Sequence, residues 1–260
     1  MESIFLKLAQ YPIVETERLL LRPVTLDDAE AMFEYASDRE NTRYTFPTNQ
    51  SLEETKNNIA QFYLANPLGR WGIELKSNGQ FIGTIDLHKI DTVLKKASIG
   101  YIINKKYWKQ GLTTEANQAV IELAFEKIGM NKLIAVHDKA NPASGRVMEK
   151  SGMRYSHDEE YAALDLHEED RIVTRAHYIL TKEDYFSNKE MIFIQDGVSF
   201  IFEPIIESKD IPETAILRNV EVSCYDLNGA SIEDIISNDK SYGPRRIPLV
   251  YGMGTEPKDK

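Results

Sequence analysis

Gly100-Tyr101-Ile102-Ile103-Asn104-Lys105-Lys106-Tyr107-Trp108-Lys109-Gln110-Gly111-Leu112-Thr113-Thr114-Glu115-Ala116 runs from a strand through a short loop into a helix. The apolar run up to Ile103 reads as the strand. The helix is read from Ala116, Ala119, Val120, Leu123 and Ala124, which recur at helical spacing over Thr113 to Ile128. The first N–H groups of a helix have no internal partners, and with the helix dipole they form an anion site. Gly111 has no Cβ to hold a phosphate away, and Lys109 adds positive charge. The junction therefore fits a pyrophosphate cradle made by Lys109, Gln110, Gly111, Leu112, Thr113 and Thr114. Taken alone, it fits a plain strand-to-helix turn equally well.

Working downstream, a strand is expected at Lys132 to Val136 and a helix at Ala143 to Ser151, with Gly152 as its C-terminal cap. Asn141 stands where an N-cap belongs and Ser144 enters the first turn. Two strands follow, near Met153 to Ser156 and Ala176 to Thr181. Upstream, Trp71 to Lys76 and Phe81 to Lys89 read as a hairpin through Ser77-Asn78-Gly79, followed by Ala97 to Asn104. The first strand is Arg18 to Pro23. Thr25 and Asp28 then open a helix, Asp27 to Ser37, with Ala29, Met32, Phe33 and Ala36 on its inner face. A second helix starts at Ser51, is boxed by Glu54, buries Ile59, Phe62 and Tyr63, and stops before Pro67. Hairpins mixed with crossover helices predict an α+β fold with a mixed, mostly antiparallel sheet flanked by helices.

The character changes after Tyr185. Met191 to Gln195 and Val198 to Ile205 flank Asp196-Gly197, a type I′ hairpin signal. Another strand is expected at Val220 to Tyr225, and Ser231 with Asp234 fits a short helix through Ile236. We divide the chain into a main domain, 1–186, and a small β-rich C-terminal appendage, 187–260. A unit of about 70 residues has little core of its own. It is expected to lean on the main domain or on a second copy, as in a homodimer.

The 260 residues carry a net charge of −10, which repels phosphate backbones and argues against a nucleic-acid partner. The single cysteine, Cys224, cannot form an internal disulfide. No stretch approaches the roughly 20 apolar residues of a membrane span. Met1 to Gln10 has no signal-peptide pattern, so a cytoplasmic protein is the default expectation. His88, His137, His157, His167 and His177 show no metal-ligand spacing, and no metal is expected.

Four segments together resemble the GNAT acetyltransferase superfamily, in its ribosomal-protein N-terminal acetyltransferase branch. Glu15-Thr16-Glu17-Arg18-Leu19-Leu20-Leu21-Arg22-Pro23 is similar to that branch's opening strand. Phe81-Ile82-Gly83-Thr84-Ile85 resembles its central hairpin strand. Tyr107 to Ala116 resembles its CoA pyrophosphate loop. Asn141 through Met153 resembles its Asn-x-x-Ser motif with the Glu-Lys-x-Gly that follows. The likeness covers roughly residues 12–186. Three positions depart from the common pattern: Trp108 three places before the glycine, Thr113 after Leu112, and Met153 for the usual Phe.

The resemblance implies acetyl-CoA as cosubstrate, held by the loop above with Asn141, Ser144 and Arg146. It implies a strand, Ala97 to Asn104, that splays from its neighbour and offers backbone bonds near Ile102 and Ile103 to the pantetheine arm. Acetyl transfer to a primary amine is then direct. The acceptor is a protein N-terminus or a cationic small molecule. Ser144 is implied as the proton donor to the departing thiolate, with Tyr101 as substitute. Asp86 and His88 share alternate-residue spacing on one strand and are candidates for the base. The carboxylates between Asp158 and Asp170 read as a solvated loop or as an acidic acceptor entrance that favours polycations. The alternative function is a non-catalytic acyl-CoA-binding or protein-interaction module.

Overall fold

The computed structural model describes residues 3–168, 170–188, 191–195, 198–203 and 223–225. By contact it divides into two units, Met1–Phe186 and Ser187–Lys260. In the first unit eight strands form one sheet: β1 Val14–Glu15, β2 Leu19–Arg22, β3 Arg70–Leu75, β4 Gln80–Asp91, β5 Lys96–Ile103, β6 Lys132–Asp138, β7 Arg154–Leu164 and β8 Ile172–Thr181. Their order is β1-β2-β3-β4-β5-β6-β8-β7. Within this sheet β5 and β6 pair in parallel, as the helical crossover between them requires, and the other pairs are antiparallel. That helix is α5, Leu112–Glu122, continued by a π-helical turn over Leu123–Ile128. The α+β, mostly antiparallel architecture read from the sequence is the one observed.

The other helices are α1 Ile4–Gln10, α2 Ala29–Ala36, α3 Arg39–Thr42, α4 Leu52–Asn58, α6 Pro142–Lys150 and α7 Lys182–Asn188. Two apolar clusters cover the two faces of the sheet. The larger joins Leu19, Leu21, Ile85, Leu87, Ile99 and Ile103 to Leu112, Ala116 and Val120 of α5 and to Leu8 of α1. The smaller packs Met32, Tyr35 and Ala36 of α2 with Ile59 and Phe81. The N-caps act as expected, but the Glu54 carboxylate bonds the Gln50 N–H at 2.6 Å and so does not complete a box with Ser51. Ser51 accepts from the Glu54 N–H at 3.1 Å, and Thr25 with Asp28 completes a capping box.

The chain has more structure than its pattern announced. α1 and β1 were not anticipated, since seven residues and two residues carry too little periodicity. Phe62, expected inside, is exposed, because the chain turns π-helical over Ile59–Leu64 and rotates it outward. On α2 it is Tyr35, not Phe33, that is fully buried. The strand expected to end at Ser156 continues to Leu164, so Asp158, Glu159 and Glu160 lie on a strand and not in a loop. That strand is an edge whose residues are mostly solvated, so it lacks the apolar alternation that marks a half-buried strand.

In the second unit β9 Met191–Gln195, β10 Val198–Glu203 and β11 Ser223–Tyr225 form an antiparallel sheet in the order β11-β10-β9. Val198 pairs Gln195, and Phe202 pairs both Met191 and Cys224. Asp196-Gly197 and the helix expected from Ser231 to Ile236 lie outside the described residues.

One ion pair fastens α2 to the sheet. Arg22 of β2 donates to both oxygens of Asp28 at 2.9 and 2.8 Å and to Glu74 of β3 at 2.6 Å. Asp28 also accepts the Thr25 N–H at 2.8 Å. The bonds to Asp28 hold the Arg22 guanidinium above its ordinary pKa, despite burial. Removing one partner of such a pair strands the other charge. We expect Asp28→Ala to cost about 3 kcal/mol of unfolding free energy. Denaturant unfolding checks this; a loss under about 0.5 kcal/mol would make the pair an ordinary surface contact.

Candidate active site

The site begins where β5 and β6 part. Their pairing runs Lys96–Lys132, Ala97–Leu133 and Ser98–Ile134, and no pairing is present beyond Ser98 among the described residues. β6 instead continues along β8 as far as Asp138. Ile99 to Ile103 therefore keep β4 on one edge and have a free edge on the other. The Asn104 N–H bonds the Ile82 carbonyl of β4 at 2.8 Å. By alternation Ile102 also turns its N–H and C=O into the β4 ladder, while Tyr101 and Ile103 turn theirs to the open side. The Ile103 carbonyl is already used, by Asn41 Nδ2 at 3.1 Å and Trp108 Nε1 at 3.0 Å. The bonds offered at the edge are those of Tyr101 and the Ile103 N–H. Ile102, expected to share this role, is turned the wrong way.

At the end of β5 the chain makes a 3₁₀ turn, Lys105–Tyr107, and enters α5. Gly111 is the N-cap of α5, with φ +78°, and no side chain caps the first N–H groups. A Cβ on Gly111 would meet only Arg18 Nη2, at 3.5 Å, so the approach to these N–H groups is open. Lys109 and Gln110 are exposed beside it, while the Leu112 side chain is in the core and can offer only its backbone. Thr113 and Thr114 are half-buried in the first turn. A cleft of about 370 Å³ opens here, lined by Arg18, Gly111, Thr114, Gln118 and Lys150 among others. Among the described residues nothing pairs with the free edge, and the edge and the cleft both fit an elongated ligand with a phosphate end.

α6 brings the second motif to the same opening. Asn141 is its N-cap, and its Oδ1 accepts the Ser144 N–H at 3.4 Å, so this oxygen is spent on the helix. Arg146 is exposed on the helix. Ser144 and Tyr101 meet directly. The Tyr101 phenol donates to the Ser144 carbonyl at 3.1 Å and lies 3.2 Å from Ser144 Oγ, where either hydroxyl can donate. Burial pushes the Tyr101 phenol well above its ordinary pKa, outweighing the bond from Ser144, so it keeps its proton. Gly145 lets α6 lie this close. A Cβ there would be 2.9 Å from His137 Nε2 and 3.2 Å from the Tyr178 hydroxyl.

Asp86 and His88 share a face, as their spacing suggested. His88 Nδ1 and Asp86 Oδ1 are 2.8 Å apart, and both lie over Gly100, whose missing Cβ leaves them room. That face is opposite the one holding Tyr101. Asp86 pairs Gly100 and Ile85 pairs Tyr101, and Ile85 points into the larger core. The two groups thus flank the opening from opposite sides of the sheet.

The carboxylates from Asp158 to Asp170 are largely paired. Asp158 binds Lys139, Asp165 binds Arg171, Glu159 lies 2.9 Å from His177 Nε2, and Glu168 lies 2.6 Å from Arg43. Arg171 also bridges to Asp138 at 2.8 Å. Glu169 lies outside the described residues. These pairings offset part of the cluster's negative charge and so weaken, without removing, the field that an acidic acceptor entrance would need. Among the described residues no three His, Cys, Asp or Glu side chains group as metal ligands, and no helix is long and apolar enough to cross a membrane.

Sequence reasoning missed Arg18, Glu115 and Asn41. Asn41 holds the end of β5, accepting the Lys105 N–H at 2.6 Å as well as donating to Ile103. Its bonds span more than 60 residues of chain, and no local spacing signals them.

Comparison with known proteins agrees with this geometry. Residues 18–154 match the model of the acetyltransferase (GNAT) domain. YoaA of Bacillus subtilis, an uncharacterized N-acetyltransferase, is 36% identical over 148 residues, 55% of this chain and 84% of YoaA. A candidate ribosomal N-acetyltransferase of the same organism, YdaF, is 37% identical over 83 residues, 31% of this chain and 45% of YdaF. The crystal structure of a GNAT-family acetyltransferase from Bacillus anthracis is 28% identical, with a TM-score of 0.58 over 66% of this chain and 99% of that one. Enzymes of this family use acetyl-CoA. The chain belongs to the GNAT acetyltransferases and is an acyl-CoA-dependent N-acetyltransferase.

Proposed function

We propose that the protein transfers the acetyl group of acetyl-CoA to a primary amine by direct attack, on a protein N-terminus or a cationic small molecule. The observation that carries this reading is the parting of β5 from β6 after Ser98, which leaves a free backbone edge between two sets of proton-handling groups. When bound, acetyl-CoA supplies an activated thioester.

The chain's own residues divide the remaining work. The first-turn N–H groups of α5 at Gly111 to Thr114, with Lys109, hold the pyrophosphate. Tyr101 and Ile103 offer strand-like backbone bonds to the pantetheine arm, and an N–H of this edge polarises the thioester carbonyl. Tyr101 and Ser144 act as one hydroxyl pair that donates to the departing sulfur. A phenol held above its ordinary pKa is a hydrogen-bond donor first and gives up its proton only as the sulfur takes on charge. On the opposite face, a His88 whose Nδ1–H donates to Asp86 keeps its Nε2 lone pair free to receive a proton from the acceptor ammonium.

The test is thiol release from acetyl-CoA across a panel of amines: short peptides with free N-termini, a polyamine, an amino sugar and an aminoglycoside. Turnover with at least one class, lowered by His88→Gln at saturating acetyl-CoA, is the expected result. No release with any amine by a folded protein that binds CoA would refute the transfer reading.

A further inference from the structure

The loop that enters α5 is held in an unfavourable shape. Lys109 has φ +61° and Gly111 has φ +78°, so two left-handed residues flank Gln110. A lysine there is disfavoured because its Cβ crowds the carbonyl oxygen. Such a conformation persists only where the surroundings impose it.

The surroundings are supplied by the turn between β1 and β2, nearly 100 residues away in sequence. Arg18 Nη1 donates to the Gln110 carbonyl at 3.0 Å, the carbonyl between the two left-handed residues. Arg18 Nε donates to Glu115 Oε2 at 2.6 Å. The other oxygen of Glu115 accepts from the Arg18 N–H at 2.8 Å and from the Thr16 hydroxyl at 2.6 Å. Glu115 is on the first full turn of α5, and its own N–H bonds the Gly111 carbonyl at 3.0 Å. Thr16, Arg18 and Glu115 therefore form one bracket from the strand turn to both sides of Gly111. With its carbonyl tied to Arg18, Gln110 does not turn that oxygen toward the α5 N–H groups.

We infer that Arg18 and Glu115 are positioning residues that hold the Lys109–Gly111 loop in its anion-binding shape. The inference rests on the acetyl-CoA reading above. It makes a prediction opposite in sign to simple electrostatics. Glu115 is a negative charge at the edge of the cleft, so its removal should strengthen binding of an anion if charge alone mattered. As a bracket member its removal should weaken binding, because an amide sets an NH₂ donor against the Arg18 guanidinium and releases the loop.

The experiment is calorimetry with CoA on the full chain, together with acetyl-CoA kinetics and thermal unfolding. Glu115→Gln and Arg18→Lys should each weaken CoA binding about tenfold, the loss expected for one charge-assisted bond. Their kcat at saturating acetyl-CoA should stay within about twofold, since the loss falls on ground-state binding. The lysine keeps the charge but cannot bridge Gln110 and Glu115 together. The double variant should lose less than the product of the two, since both break one bracket. Thr16→Val, which removes one bond and no charge, should weaken CoA about threefold, and it serves if either charged variant fails to fold.

Unchanged or tighter CoA binding by Glu115→Gln would overturn the bracket, as would wild-type affinity in Arg18→Lys. A drop in melting temperature with CoA affinity intact would reduce these residues to structural ones and overturn it too. A wild-type protein that binds no CoA would overturn the acetyl-CoA reading itself, an outcome distinct from all of these.

Discussion

Gly111→Val should abolish useful CoA binding in a protein that still folds. Gly111 sits at φ +78°, a region a β-branched residue almost never occupies. The space around its would-be Cβ is open, with Arg18 Nη2 alone nearby at 3.5 Å, so the core is not overpacked. The damage is local and twofold. The valine pulls the loop out of its left-handed turn, which scatters the first N–H groups of α5. Its methyl groups also stand where a phosphate would approach. Losing two charge-assisted bonds corresponds to a fall in affinity of about 10²–10⁴-fold. Gly111→Ala, with less bulk, should lose less. Calorimetry with CoA, paired with a circular dichroism spectrum matching wild type, measures this. Unchanged affinity in the folded valine variant would remove the loop from the binding site.

Tyr101→Phe should lower turnover by about 10²–10⁴-fold at saturating substrates, the range for losing a positioned general acid. The change leaves the ring in place and removes only the hydroxyl that contacts Ser144. Ser144→Ala should have a smaller effect of the same kind, lowering kcat more than it raises the acetyl-CoA KM. The double variant should be little worse than Tyr101→Phe alone, because the two hydroxyls act as a unit. Single-turnover kinetics with a good amine separate this loss from product release. Wild-type kcat in Tyr101→Phe would show that another group protonates the sulfur.

The strand-to-helix junction at Gly111 was legible because its physics is local. A glycine, an apolar period and the unpartnered N–H groups all fall within one stretch of chain. The same holds for the capping box at Thr25, the N-cap at Ser51 and the hairpin strands β3 and β4. The Asp86–His88 contact followed from a spacing of two on one strand. Other readings failed where the deciding partner was remote. Asp158, Glu159 and Asp165 looked like a free acidic cluster, yet they bond Lys139, His177 and Arg171; the first two partners are 19 and 18 residues away, and only Arg171, six residues on, is near in sequence. Ile102 looked available, but the register of β5 against β4 decides which carbonyls face the opening, and register is a property of the pair.

By itself, then, the sequence determined the α+β class, the order of most elements and the two motifs that meet at the opening. Period, caps and turn residues act over a few positions, and each motif carries its own backbone geometry. Only the tertiary structure decided that Tyr101 touches Ser144, that Asp86 and His88 face the other side of the sheet, and that Arg18 reaches Glu115. Those relations depend on where β5 leaves β6 and on how closely α6 packs at Gly145. Both are set by side chains far apart in the chain, whose contacts exist only once the sheet has formed.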